Sequence, residues 1–319
     1  MGDAAGIGPE IVLKYLASDN LTDHCIVIGD AAHLARLVTD LGLDVEIVAA
    51  GTPASSRTIE VYDLANLPSE FEIGIDAAVT GKAAAEYIEA AVGLWRDKRI
   101  DAISTAPISK KAIALGGYDF PGHTEFLAEL TSTKKFAMSF FADKLRVTLL
   151  STHIPLLDAI DLIRKDALID LIGFSDRELT KLLGRRLRLA VAGLNPHASE
   201  GGMFGPQEAE EIIPAINHCR SLGIDVSGPY SPDTIFLRCY QGEFDACIAL
   251  YHDQATIAVK SLSFGSGVNV TLGLPLIRTS VDHGTAFDIA GKGVADPSSM
   301  SAAIRLAGDL VRVRVNREV

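Results

Sequence analysis

The chain has 319 residues, of which 48% are hydrophobic and 22% charged, a balance typical of a globular protein that excludes general disorder. A formal net charge of −12 argues against non-specific binding to nucleic acid or to an anionic membrane surface. No apolar run approaches the ~18 residues that span a bilayer. The four cysteines are scattered and form no C-x-x-C pair, which is typical of a reduced, cytoplasmic protein.

Short apolar runs alternate with helical patterns along the chain, and this alternation predicts an α/β fold. Residues 24–29 have a strand pattern, Asp30 can cap the helix that follows, and Gly42 is placed to end that helix. The remaining predicted elements are helices over 83–96 and near 157–182 and 206–222, and strands over 99–104, 145–150, 187–193 and 246–250.

Several common enzyme motifs are absent from the sequence. The Gly-rich start, GDAAGIGPE, lacks the third glycine of a dinucleotide-binding fingerprint, and no P-loop is present. Neither H-E-x-x-H nor G-x-S-x-G occurs, so zincin protease and α/β-hydrolase chemistry have no support.

Three histidines follow three of the predicted strands: His153 after 145–150, His197 after 187–193 and His252 after 246–250. Ligands of α/β sheets bind at the carboxyl ends of the strands, and three imidazoles there could hold one divalent metal ion with a position left open. Asp253 could orient one of them. Three separate loop histidines with local hydrogen bonds are an equal alternative from position alone.

A second group of residues has the chemistry of an anion site. His123 and Thr124 lie in the turn PGHTEF, where both can donate hydrogen bonds, although Thr124 could equally cap a helix. Lys260, Asn269 and Arg278 surround an apolar run, VNVTLGLP, where charges need partners. An anionic substrate would supply such partners, and ordinary salt bridges are the plainer alternative.

Six ordered motifs carry a family resemblance: GDAAGIGPE, PGHTEF, STHIPL, GLNPHASEGG, YHDQ and GVNVTLGLPLIRTSVDHGTAFDIAGKG. Together they resemble the 4-hydroxythreonine-4-phosphate dehydrogenase family of pyridoxal phosphate biosynthesis and its close paralogues. The resemblance implies two α/β/α domains similar to the isocitrate and isopropylmalate dehydrogenase fold, with the active site in the cleft between them. We expect one domain from 1–108 and 265–319, with the cofactor loop, and another from 109–264, with the metal ligands and a dimer interface.

The resemblance also implies roles for individual residues. A divalent metal, Zn²⁺ first and Mg²⁺, Co²⁺, Mn²⁺ or Ni²⁺ as alternatives, would be held by His153, His197 and His252, with His252 supplied across a homodimer. The phosphorylated substrate would be held by His123, Thr124, Lys260, Asn269 and Arg278. NAD would be held by His283, Gly284, Thr285, Ala286 and Asp288. Lys260 and Asp253 are the expected catalytic residues.

The activity implied is NAD-dependent oxidation of 4-phosphohydroxy-L-threonine at the 3-hydroxyl, followed by decarboxylation. The same chemistry on D-threonate or D-erythronate 4-phosphate is the alternative within the family. A non-catalytic metal- or nucleotide-binding protein and a metallohydrolase are alternatives of other classes.

Three features depart from the family pattern. Ala4 replaces a proline and Ala255 a glycine, and we expect both to line the site and to bear on substrate choice. The family has a short strand before the Gly-rich turn, so we also expect residues to precede Met1, which an intact mass would test.

Overall fold

The structure is a computed structural model that describes residues 1–18, 21–52, 57–263 and 267–318. Helices and strands alternate along it, so the α/β class predicted from the sequence is confirmed. The helices are α1 (Gly8–Leu16), α2 (Ala31–Asp40), α3 (Ala78–Arg96), α4 (Lys110–Leu115), α5 (His123–Leu130), α6 (Leu156–Asp161), α7 (Lys165–Leu183), α8 (Ile213–Ser221), α9 (Pro232–Tyr240), α10 (His252–Ser263) and α11 (Ser298–Glu318). The strands are β1 (Ile26–Gly29), β2 (Glu46–Ala49), β3 (Thr58–Asp63), β4 (Ala102–Thr105), β5 (Ala137–Ala142), β6 (Leu145–Leu149), β7 (Leu189–Ala192), β8 (Val226–Tyr230), β9 (Ala246–Ala249), β10 (Val268–Leu272) and β11 (Ile277–Ser280).

Local sequence signals account for the start of α2 and for its end. The carboxylate of Asp30 accepts a hydrogen bond from the backbone N–H of His33, as expected of a residue that caps a helix. Gly42 follows the last turn with a φ of +62°, a conformation that glycine adopts without strain. Both predictions for this helix are confirmed. Across the described ranges, no helix is long and apolar enough to cross a membrane.

Two predicted helices are interrupted. The helix expected near 157–182 is divided into α6 and α7, because Ile163 turns into the core and Arg164 has an extended backbone. The helix expected near 206–222 begins with a wide turn over Glu208–Ile212 before α8. Pro214 in the first turn of α8 has no N–H to donate, which removes one hydrogen bond of a regular helix.

One compact unit consists of Met1–Lys134 and Leu274–Val311. Its parallel sheet has the order β1-β3-β2, and apolar side chains of α1, α2 and this sheet form a buried core. In the same unit β4 and β11 pair in parallel, with Ser280 of β11 opposite Thr105 of β4. This pairing places Arg278, on the same face of β11 as Ser280, within reach of the end of β4.

The other compact unit consists of Lys135–Gly273 and Arg312–Val319. Its strands have the order β10-β5-β6-β9-β7-β8. β5 is antiparallel to both of its neighbours, whereas β6, β9, β7 and β8 run parallel to one another. The carboxyl ends of β6, β9 and β7 therefore lie side by side at one edge of the sheet.

The two compact units differ in their limits from the domains predicted above. Contacts divide the chain after residues 134 and 273, whereas the sequence-based division falls after 108 and 264. The second of those predicted limits falls at residue 264, which lies outside the described residues. The predicted domain limits stay a prediction.

A buried histidine predicts how stability depends on pH. Burial, with a smaller contribution from the nearby Arg36 cation, lowers the pKa of His33 to about 4 against opposing effects of Asp30 and Asp40. The unfolded chain, with a histidine pKa near 6.5, therefore binds more protons, and stability is lost as the pH falls from about 6.5 toward 4. We expect His33→Leu to recover about 2 kcal/mol of the unfolding free energy lost between pH 7 and pH 5, measured by urea titration. The same substitution at the exposed His218 should recover none.

Candidate functional site

The three histidines singled out in the sequence follow three adjacent parallel strands. His153 follows β6, His197 follows β7, and His252 opens α10 directly after β9. Since β9 pairs in parallel with both β6 and β7, all three residues follow strand ends at the same edge of one sheet. The predicted position of each histidine, just past the end of a strand, is confirmed.

Two of these histidines lie close together in the single chain. The ring centroids of His153 and His252 are 5.4 Å apart, with the rings tilted by 46°. Nδ1 of His252 lies 2.7 Å from a carboxylate oxygen of Asp253, which favours a proton on Nδ1 and leaves Nε2 to accept a metal. Within the described ranges of one chain, no group of three His, Cys, Asp or Glu side chains is arranged to hold a metal ion.

His197 lies in a strained loop. Residues 197–200 all have positive φ, between 44° and 67°, although none of them is glycine. Each such residue costs about 1 kcal/mol or more, so a run of four persists only when its surroundings hold it. Gly193 permits the loop to close, because a Cβ there would lie 2.9 Å from Cα of Ala198. The segment 193–205 is called the His197 loop below.

A buried glutamate holds the base of the His197 loop. One carboxylate oxygen of Glu208 accepts hydrogen bonds from the backbone N–H groups of Leu194 and Asn195, at 2.8 and 2.7 Å. The other accepts from the side-chain amide of Asn195 at 2.8 Å. Within the loop, the hydroxyl of Ser199 donates to the carbonyl of Gly205 at 2.6 Å. Sequence reasoning missed Glu208, because nothing in the run QEAEE separates the one buried acid from its more exposed neighbours.

Arg278 is the centre of a polar cluster in the first compact unit. Its side chain is 3% exposed, and its guanidinium donates to the hydroxyl of Thr105 at 2.9 Å and to that of Thr124 at 3.5 Å. Burial lowers the pKa of Arg278 to about 10, so the side chain stays a cation at neutral pH. A buried cation beside two hydroxyls is suited to an anionic group. Thr105 was not predicted, since only the pairing of β4 with β11 brings it to Arg278.

His123 and Thr124 occupy the first turn of α5. Burial and the Arg278 cation hold the pKa of His123 well below its usual range, so the imidazole is neutral near pH 7. Gly122 occupies the capping position before the helix, and no side chain caps this helix. The capping alternative for Thr124 is therefore wrong, and its hydroxyl instead accepts from Arg278. We call Thr105, His123, Thr124 and Arg278 the Arg278 cluster.

Lys260 and Asn269 belong to the second compact unit. Lys260 lies on the exposed side of α10, two turns after His252. Asn269 lies on β10, where its side-chain oxygen is buried and has no hydrogen-bond partner among the described residues. This oxygen is suited to accept a hydrogen bond from a hydroxyl or an amine.

The two departures from the family pattern are both buried. Ala255 is fully buried in the core of the second unit, among side chains of β5, β6 and α9, and therefore does not line an open site. Ala4 is 2% exposed in the N-terminal turn of the first unit. The expectation that Ala255 lines the site is corrected by its packing, which follows from its place on the inner side of α10.

The predicted cofactor residues form an exposed turn between β11 and α11. His283, Gly284 and Asp288 are exposed, and Ala286 has a φ of +44°. The turn is anchored where the backbone N–H of Ile7 donates to the carbonyl of Thr285 at 3.0 Å. A Cβ at Gly6 would lie 3.0 Å from Thr285, so glycine permits this approach.

The far end of this turn is fastened to α1. Oε1 of Glu10 accepts from the backbone N–H of Ala295 at 2.7 Å, and the ammonium of Lys14 donates to the same oxygen at 2.7 Å. Lys14 also donates to the carbonyls of Gly293 and Ala295. The turn therefore presents exposed polar groups from a backbone that is held at both ends.

Comparison with known proteins places the chain in a family. A D-threonate 4-phosphate dehydrogenase of Cupriavidus necator is 47% identical, over 98% of this chain and 96% of that relative. A 4-hydroxythreonine-4-phosphate dehydrogenase of Desulforapulum autotrophicum is 43% identical, over 96% and 93%. The crystal structure of a 4-hydroxythreonine-4-phosphate dehydrogenase of Klebsiella pneumoniae superposes with a TM-score of 0.89 at 42% identity, covering 98% of each chain. The family model described as pyridoxal phosphate biosynthetic protein PdxA matches residues 21–307, and the chain belongs to that family.

Proposed function

We propose that the chain is an NAD- and divalent-metal-dependent dehydrogenase that oxidises the 3-hydroxyl of 4-phosphohydroxy-L-threonine and then releases CO₂ from the oxidised acid. The dehydrogenase names of its relatives support the reaction class. The observation that carries the proposal is the arrangement of three histidines past the ends of three adjacent parallel strands, together with the buried Arg278 cluster.

His153, His197 and His252 would hold the metal. The donor set fits, since three neutral imidazoles suit Zn²⁺ and its neighbours in the first transition series. The ring centroids of His153 and His252 already lie 5.4 Å apart, and Asp253 orients His252. A metal held by these residues would supply Lewis-acid polarisation of the substrate oxygen, and NAD would supply the hydride acceptor.

The Arg278 cluster would bind the anionic groups of the substrate. Arg278 supplies a permanent charge and parallel N–H donors, which match the oxygens of a phosphate or carboxylate. The neutral imidazole of His123 and the hydroxyl of Thr124 add donors without further charge. The buried oxygen of Asn269 would accept from the amine or hydroxyl at C2.

Lys260 would transfer the protons of the reaction, and Asp253 would orient a metal-binding histidine. Oxidation of an alcohol releases the hydroxyl proton as well as the hydride, and loss of CO₂ leaves a carbanion that must be protonated. Lys260, on the exposed side of α10, would donate and accept these protons, and the turn over 283–288 would bind the dinucleotide. Asp253 would act through His252, which it contacts.

We further propose that the enzyme is a homodimer. Exposed apolar side chains occur next to the histidine pair in sequence, with Ile154 and Leu157 after His153 and Ile257 one turn after His252. Leu157 is 77% exposed and Ile257 66%, which is costly for large apolar groups that stay in water. A partner subunit that covers them would also be placed to complete the metal site with a histidine of its own.

The second candidate substrate is D-threonate 4-phosphate, or its epimer D-erythronate 4-phosphate. The name of the Cupriavidus necator relative favours it. The two candidates differ only at C2, where a hydroxyl replaces an amine, and the oxygen of Asn269 can accept from either group.

The experiment that tests the proposal is NADH formation by protein reconstituted with Zn²⁺, Mn²⁺ or Co²⁺. We expect the highest kcat/KM with 4-phosphohydroxy-L-threonine among that compound, D-threonate 4-phosphate, D-erythronate 4-phosphate and L-threonate 4-phosphate. A preference for a sugar acid would assign the second candidate and keep the chemistry. No turnover of any of them, with metal bound, would contradict both candidates and favour a non-catalytic binding protein.

A further inference from the structure

A buried glutamine connects two of the histidine-bearing segments. Gln254 is 8% exposed and lies two residues after His252 in α10. Its side-chain N–H donates to the carbonyl of Gly193, at the base of the His197 loop, at 2.8 Å. Its side-chain oxygen accepts from the backbone N–H of Leu250, just before His252, at 2.8 Å.

The third histidine segment joins the same network. The hydroxyl of Ser151, two residues before His153, donates to the carbonyl of Leu250 at 3.0 Å. The carbonyl of Leu250 is therefore bonded to the His153 segment, and its N–H is bonded to Gln254. Hydrogen bonds through Gln254 thus connect the starts of all three histidine segments, close to the ends of the strands.

The side-chain amide of Gln254 satisfies both of its partners. The N–H of Leu250 can only donate and the carbonyl of Gly193 can only accept, so the side chain must offer one acceptor and one donor at the right spacing. A glutamate keeps the acceptor and loses the donor, and a methionine of similar shape loses both. Each loss leaves a buried backbone group without its partner.

The His197 loop has a strained backbone, so its conformation depends on contacts with its surroundings. Four consecutive non-glycine residues from His197 onward have positive φ. Glu208 holds the loop to its own following segment, whereas Gln254 joins the base of the loop to the turn that carries His252. Beyond the paired ends of β7 and β9, this bond sets the distance between the two segments.

We propose that Gln254 is a positioning residue for metal binding, because its two hydrogen bonds set the relative placement of the His197 loop and the His252 turn. This inference rests on the proposed metal-binding function of the three histidines. It assigns to the last residue of the YHDQ motif a role that involves no contact with metal or substrate.

The test is a Co²⁺ titration of the full chain, followed by the visible absorption bands of the bound ion, which report its coordination geometry. We expect Gln254→Met and Gln254→Glu to raise the Kd for Co²⁺ about 10- to 100-fold and to alter the bands. Gln254→Glu carries the test if Gln254→Met does not fold. Gln241→Met, the same substitution on an exposed side chain, should leave both unchanged.

A stability control separates positioning from a merely structural role. Ile172→Ala removes a fully buried side chain of α7 in the same unit and should lower the Tm while it leaves the Kd and the bands as in the wild type. Wild-type Co²⁺ affinity in both Gln254 variants, with binding lost in His197→Ala, would overturn this inference alone. A Kd that rises wherever the Tm falls, in Ile172→Ala as well as in the Gln254 variants, would also overturn it. Absence of Co²⁺ binding by the wild type would overturn the proposed metal site and this inference with it.

Discussion

Replacing His197 with alanine should abolish metal binding and lower kcat/KM by a factor of about a thousand or more, which corresponds to ~4 kcal/mol of transition-state stabilisation. The loss follows from the removal of one imidazole from a three-ligand site, because the two remaining histidines cannot hold the ion at ordinary concentrations. The readouts are metal content after dialysis and the rate of NADH formation.

The strained backbone at His197 decides the choice of a second variant. At a φ of +53°, asparagine is tolerated better than most residues, so His197→Asn preserves the loop while it removes the imidazole. Both variants should lose metal content and NADH formation to the same extent if the imidazole is the metal ligand. His218→Ala is the matched control, since His218 is exposed on α8 and far along the chain from the three strand ends. Full activity of either His197 variant would remove this residue from the metal site.

Arg278→Ala should raise KM for the phosphorylated substrate about a hundredfold, or ~3 kcal/mol, with a smaller effect on kcat. The reason is that the buried guanidinium donates several N–H groups in one plane, and a phosphate or carboxylate accepts them as a pair. Arg278→Lys keeps the charge and loses the paired geometry, so we expect it to recover only part of the affinity.

The control for Arg278 is another arginine that is partly buried. Arg146 on β6 lies outside the Arg278 cluster, and burial lowers its pKa as well. Arg146→Ala should cost stability, seen as a lower Tm, and leave KM unchanged. Kinetics of Arg278→Ala that equal those of the wild type would show that the cluster does not bind the substrate.

Signals that act over a few residues were read correctly from the sequence. The Asp30 cap, the strands over 26–29 and 189–192, and the place of each histidine after a strand depend on neighbours along the chain. The helix predictions erred where a distant contact intervened, as at Ile163, which turns into the core and divides α6 from α7.

Contacts between residues far apart in the chain could not be predicted. Gln254 bonds to Gly193 across 61 positions, and Arg278 to Thr105 across 173. Each of these bonds exists because particular strands are neighbours, and strand order is not written in any local pattern. The resemblance named His153, His197, His252 and Arg278. It did not name Thr105, Glu208 or Gln254, which form hydrogen bonds with those residues or with the segments that carry them.

Local patterning and motif order were thus sufficient for the α/β class, the family and the candidate anion-binding and metal-binding residues, because these follow from residue type, spacing and the order of motifs. The order β6-β9-β7, the left-handed run at His197 and the buried partners of Arg278 arose only when the chain was folded. They are settled by long-range strand pairing and by the need of every buried polar group for a partner, and both depend on the whole structure at once.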